Sequence, residues 1–355
     1  MPSYVMNHSD NLLIFNNISR DNNMNVVRYY LSICVVISHV TVLTGVWFPS
    51  LQSINMVVGC FFALSGFLMF PSFQRHTGLR GYFARRVRKI MPSYVFIVVL
   101  AAVSLVAVSE LPAGEYFSSP GLYKYLGANL SFLNFLCPDL PGVFKGGEFA
   151  TDAVNGSLWT MKGELACCLS VPVVYWLARK AGKRRAGALM LGIVVLCIVS
   201  RLLLLEFGPG GERSLNAIIA KQFGTVFVFF YVGALINIYW TKFLRYKWYI
   251  LAADVAVILL CDYIPFYYTV LQPFVGASMV LWFSLVGKWG TRLSRHDDVS
   301  YDIYLFHFPI IQLAVYFGLP GRMNGLAMLL LIISVTVALA LFSWNVAGKR
   351  TQRRA

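Results

Sequence analysis

VVRYYLSICVVISHVTVLTG, residues 26–45, is an almost unbroken apolar run that carries one charge, Arg28, and one imidazole, His39. A helix needs about 20 apolar residues to cross ~30 Å of hydrocarbon, and this run has that length. Outward along the chain, runs of similar length recur at 51–70, 91–109, 157–178, 187–206, 215–240, 248–263, 265–287, 299–319 and 324–346. They predict an all-α fold, a polytopic membrane helix bundle of about ten transmembrane helices. Composition agrees. Of 355 residues, 58% are hydrophobic and 13% charged, with a mean hydropathy of +0.66. A soluble domain is roughly a quarter charged, so a globule this poor in charge could not cover its surface.

The basic residues set the orientation. Arg75, Arg80, Arg85, Arg86, Arg88 and Lys89 fall in the second connection, and Arg179, Lys180, Lys183, Arg184 and Arg185 in the fourth. Lys242, Arg245 and Lys247 fall in the sixth, Lys288, Arg292 and Arg295 in the eighth, and Lys349, Arg350, Arg353 and Arg354 in the tail. These are 21 of the 30 basic residues; the odd connections hold few, among them Lys124, Lys145, Arg213 and Arg322. Even connections and both termini are therefore expected to be cytoplasmic. A formal charge of +15 would suggest nucleic acid in a soluble protein. Here most of it falls on one side of a membrane, and no nucleic acid is expected.

The expected organisation is a polar cytoplasmic segment at 1–24 without a secretory-signal pattern, one transmembrane domain at 25–346, and a basic tail at 347–355. A long outer connection, 110–156, includes an amphipathic stretch, Tyr123–Leu136. Outer loops this long are usually functional or partly ordered. The seven cysteines lie mostly in apolar runs, with no CxxC or Cys/His spacing, and read as small buried hydrophobes rather than metal ligands.

Ionisable residues within spans are costly and mark candidate function. Arg28 and His39 are eleven residues apart, close to three helical turns, so both project from one face about 16 Å apart. An intramembrane histidine is either a hydrogen-bonded packing residue or part of a site, and its own span leaves both open. Glu164 and Lys162 follow Asn155, Gly156, Ser157, Leu158 and Trp159 into the fourth span, placing Glu164 at a depth similar to that of His39. The ninth span carries Tyr301, Asp302, Tyr304 and His307, the last just before Pro309, which leaves a carbonyl one turn earlier without its donor. Asp254, Arg201 and Lys221 read as structural pairing residues.

Five stretches, RYYLSICVVISH (28–39), FFALSGFLMF (61–70), YFARRVRKIMPSY (82–94), GSLWTMKGE (156–164) and SYDIYLFHFP (300–309), resemble in order the motifs of the acyltransferase-3 family of integral membrane O-acyltransferases. FFALSGFLMF alone is also readable as a helix contact through Ser65 and Gly66. The resemblance implies transfer of an acyl group, most often acetyl from acetyl-CoA, to a hydroxyl of a saccharide or lipid-linked glycan, in a bacterial inner membrane. It implies catalytic roles for Arg28, His39 and Glu164, and acyl-CoA binding by Arg85, Arg86 and Arg88. Ser65, Trp159, Tyr304 and His307 are expected to support the site or face the acceptor. The chain departs from the family in having Leu165 where a second acid is common. No hydrolase-like domain follows the last span, which implies a separate extra-cytoplasmic acyl-transfer protein as partner. Acyl-CoA is expected as co-substrate rather than a resident cofactor, with no metal. His39 is read as base for the hydroxyl, with Glu164 orienting it; direct transfer and a transient acyl-histidine both remain open. The rival reading is a proton-coupled secondary transporter using His39, Glu164 and His307 as a relay.

Overall fold

The computed structural model describes residues 14–19, 21–49, 53–75, 78–206, 214–294 and 297–348. Arg213, Arg295, Lys349, Arg350, Arg353 and Arg354 lie outside the described residues, as do the start of the second expected span and most of 1–24. Among the described residues there are helices and no strands. Helices satisfy every backbone polar group internally, which hydrocarbon demands.

In chain order these are α1 (Met24–Thr44), α2 (Ile54–Arg75), α3 (Leu79–Ser104), the short α4 (Ala113–Ser118), α5 (Pro120–Leu130), α6 (Met161–Ala181) and α7 (Lys183–Glu206). They continue with α8 (Leu215–Lys221), α9 (Val228–Ile238), α10 (Trp240–Leu259), α11 (Gln272–Leu285), α12 (Thr291–Ser294), α13 (Ser300–Tyr316), α14 (Leu319–Arg322) and α15 (Gly325–Ser343). Wider π-helical turns join α8 to α9 at Gln222–Phe227 and open α11 at Tyr267–Leu271. A helix stands at each of the ten expected spans, and eight are long and apolar enough to cross a membrane on their own. The other two are α13, which has 17 residues, and α10, which carries Lys242, Arg245, Lys247 and Asp254.

Two expected boundaries are corrected. The third span begins at Leu79 rather than 91, so Arg85, Arg86, Arg88 and Lys89 stand on helical turns and not in a loop. The seventh begins at Trp240 rather than 248 for the same reason. Arg and Lys are good helix formers with no cause to break a helix where the lipid ends.

The chain divides into two compact units: 1–24 with 58–82 and 163–291, and 25–57 with 83–162 and 292–355. In the first, α2 and α9 meet through small residues. A Cβ on Gly66 would strike the carbonyl of Phe230, one on Gly233 the carbonyl of Ala63, and one on Gly59 the ring of Phe229. Close backbone approach of this kind is how helices associate where lipid offers no hydrophobic gradient. Asp254 accepts a hydrogen bond from Ser278 Oγ at 2.5 Å.

The second unit is built around α13. Arg28 and His39 of α1 meet Asp298 and His307 in the same order, so α1 and α13 run parallel. Tyr301 donates to the carbonyl of Ile90 and Phe306 packs near Phe96, so α3 also runs parallel to α13. Segment 151–161 runs the opposite way, with Gln312 reaching Thr151 and Ala153, Tyr304 reaching Ser157, and Tyr301 reaching Met161. These relative directions match the parity of spans one, three, four and nine read from charge.

The long connection between α3 and α6 carries α4 and α5. Helix α5 buries Leu122, Tyr125 and Asn129 on one face and exposes Tyr123. Tyr94 of α3 donates to the Asn129 carbonyl at 2.6 Å. Lys145 pairs with both Asp139 and Asp152 at 2.9 Å.

Candidate active site

The site is a pair of imidazoles on the two parallel helices α1 and α13. His39 Nδ1 lies 2.9 Å from His307 Nε2, with the rings 4.9 Å apart and tilted by 41°. His307 Nδ1 lies 2.7 Å from the backbone oxygen of Tyr304. A carbonyl only accepts, so His307 Nδ1 carries the proton, and the tautomers follow from the hydrogen bonds. Neutral His307 then presents a lone pair at Nε2, which accepts from His39 Nδ1–H. Neutral His39 is left with its lone pair on Nε2. The arrangement thus leaves His39 Nε2 as the unprotonated nitrogen of that ring. Phe308 meets the His39 ring edge-on at 5.2 Å, and His307 is fully buried.

Around the pair, segment 155–160 and α13 interlock. Tyr304 OH donates to the Ser157 carbonyl at 3.0 Å and lies 3.1 Å from Thr160 Oγ1. Pro309 removes the amide that would serve the carbonyl of Leu305, and Asn155 Nδ2 supplies the missing donor at 2.8 Å. Gly156 lets the segment approach: a Cβ there would stand 2.7 Å from the Phe308 ring. The GSLW and YLFHFP motifs are therefore two sides of one contact.

About 16 Å from His39 along α1, Arg28 pairs with Asp298 at 2.9 Å. Burial on its own would push the Asp298 carboxyl up. The Arg28 guanidinium first, then Lys89 and Ser300, hold it net below its ordinary range. Sequence reading missed this partner, and Arg28 is consequently charge-balanced. Arg85 differs: its Nη2 is buried and has no hydrogen-bond partner among the described residues. Arg88 and Lys89 are exposed and Arg86 half-buried.

Of the expected site residues, the structure gathers Arg28, His39, Arg85, Arg86, Arg88, Trp159, Tyr304 and His307 in one compact unit. Glu164 and Ser65 belong to the other unit. Within its own unit His39 is hydrogen-bonded to His307, and Lys162 sets its ammonium over the Phe135 ring, 4.5 Å from the centroid. Asn155 and Asp298 were not singled out as site residues from sequence. The available signal for Asn155 was Pro309, whose freed carbonyl called for a side-chain donor.

Fold and site define a multi-pass helical membrane protein with a hydrogen-bonded imidazole pair within its spans. A family model described as an acyltransferase domain, that of the acyltransferase-3 family, matches residues 21–345, and the chain belongs to that family. Among its relatives is nodulation protein 10 of Rhizobium leguminosarum bv. viciae, 26% identical over 349 residues that cover 91% of each chain. Another is an O-acetyl transferase of Shigella phage Sf6, 23% identical over 95% of this chain and 97% of its own. No solved structure matches.

Proposed function

We propose that the protein transfers an acetyl group from cytoplasmic acetyl-CoA to a hydroxyl of a cell-surface or lipid-linked sugar in a bacterial inner membrane. The observation that carries this reading is the His39–His307 pair anchored on the Tyr304 carbonyl. The name of the phage relative supports acetyl as the group. Family membership favours acyl transfer over proton-coupled transport.

In this reading His39 Nε2 takes the proton of the acceptor hydroxyl as its oxygen attacks the thioester carbonyl. His307 spreads the resulting positive charge toward the Tyr304 carbonyl. Collapse of the tetrahedral intermediate expels the CoA thiolate, which recovers the proton from Nε2. The ester and the thiol are the products, and no covalent enzyme intermediate is required. CoA phosphates are too charged for hydrocarbon. Arg85, with its buried unpartnered Nη2, is their first anchor, with Arg86 and Arg88 beside it. Glu164 assists as an orienting carboxylate, and a separate extra-cytoplasmic protein completes delivery where the acceptor requires it.

The test is acetyl transfer by purified protein from labelled acetyl-CoA, with mass spectrometry of surface glycans from cells. His39→Ala should lower transfer by at least about 100-fold, the low end for loss of a general base, with insertion intact. Arg85→Gln should raise the donor KM and spare kcat. Unchanged glycan acetylation in His39→Ala would end this reading.

A further inference from the structure

We infer that Asn155 is a positioning residue for the imidazole pair, acting through the helix turn that Pro309 opens; this rests on the reading of His39 as base. The neutral amide of Asn155 performs two tasks at once. Its Oδ1 accepts from Ser157 N at 3.2 Å and from Ser157 Oγ at 2.6 Å, which shapes the turn leading into the fourth span. Its Nδ2 donates to the carbonyl of Leu305 at 2.8 Å. That carbonyl adjoins the Tyr304 carbonyl, to which His307 Nδ1 is bound.

The chain of cause runs from Pro309 to His39. Proline deprives the Leu305 carbonyl of its helical donor, and a buried acceptor without a donor carries the full desolvation cost. Left alone, this turn would relieve that cost by twisting, carrying the adjacent Tyr304 carbonyl with it. Asn155 removes the need. Ser157 Oγ of the same segment, whose proton goes to Asn155 Oδ1, packs 3.4 Å from the Tyr304 oxygen. With Tyr304 O fixed, His307 keeps its Nδ1 proton and His39 keeps its lone pair on Nε2. Asn155 is 5% exposed and touches neither imidazole in this account; its effect is transmitted by the backbone of α13.

Asn155→Asp, assayed at a pH high enough to ionise the carboxylate, separates the two tasks, since the anion keeps the acceptor for Ser157 and loses the donor for Leu305. It should lower kcat by about 10- to 100-fold, the range found when the group orienting a functional histidine is removed, with donor KM unchanged. Pro309→Ala restores a backbone N–H to residue 309 that can bond Leu305 O. The double variant Asn155→Asp/Pro309→Ala should therefore regain most of the lost rate. Asn155→Asp as active as the wild type would overturn the inference. So would a double variant no better than Asn155→Asp when Pro309→Ala alone is active, because Asn155 would then serve the turn only.

If Pro309→Ala is itself inactive, nitrogen-15 spectra of histidine-labelled protein decide, with His307→Gln assigning the signal. The wild type should show His307 protonated at Nδ1. Loss of that tautomer in Asn155→Asp supports the inference, and an unchanged spectrum overturns it. This readout does not need turnover, so it stays informative even if His39→Ala retains activity and the base reading fails.

Discussion

Arg28 and Asp298 illustrate how a charge inside a span is tolerated. Their side chains are 16% and 20% exposed, and each satisfies the other where a lone ion would be expensive. The folded pKa of Asp298 is below its ordinary value. Its contribution to stability is therefore complete above the unfolded carboxylate pKa of about 4 and is lost as pH falls through the lower folded value. Asp298→Asn should destabilise the protein by roughly 2–3 kcal/mol at neutral pH, somewhat less than breaking a fully buried pair. Thermal unfolding in detergent at pH 7 and near pH 3 checks this. The gap between variant and wild type should shrink at the acid end, and a gap constant across that range would exclude the ion pair as its source. At this scale the sequence made Arg28 and His39 legible, because the eleven-residue spacing places both on one helical face. Asp298 was hidden because nothing in a linear pattern ties residue 28 to residue 298.

At the level of elements, the α2–α9 contact turns a motif into packing. Gly66 faces the Phe230 carbonyl, so Gly66→Val should force the helices apart and sharply reduce the yield of folded protein. Overpacking of this kind costs about 1–3 kcal/mol or more when backbone is the obstacle. Gly192→Ala is the matched control on α7, where nothing lies within 4 Å of an added Cβ. Size-exclusion profiles and melting temperatures of the two variants should differ clearly; equal behaviour would mean that α2 and α9 can shift apart at little cost. The ten helical stretches were readable from apolar run length. Their ends were not, because Lys and Arg continue a helix beyond the lipid as readily as Leu does. The π-helical turns at Gln222–Phe227 and Tyr267–Leu271 likewise carried no sequence signal that was read.

For the whole molecule, the alternation of basic connections predicts which residues face which side. Tyr123 is exposed on α5 of the long outer connection, and Arg88 is exposed at the start of α3. In a background whose seven native cysteines are replaced, Tyr123→Cys should react with a membrane-impermeant thiol reagent added to intact cells. Arg88→Cys should react only after the membrane is opened. The reverse pattern would invert the topology and place the Arg85 cluster on the wrong side for a cytoplasmic donor.

What the sequence determined by itself is the membrane class, the helical fold, the relative direction of spans one, three, four and nine, and the family, since each follows from local quantities: run length, charge placement and short ordered motifs. Only the tertiary structure decided that His39 is bound to His307, that a carbonyl of α13 fixes their tautomers, and that Asn155 fills the gap left by Pro309. The Tyr304 carbonyl is only three residues from His307, but the Asn155–Leu305 and His39–His307 contacts join residues 150 and 268 apart. Their geometry is set by how helices pack, which no spacing along the chain encodes.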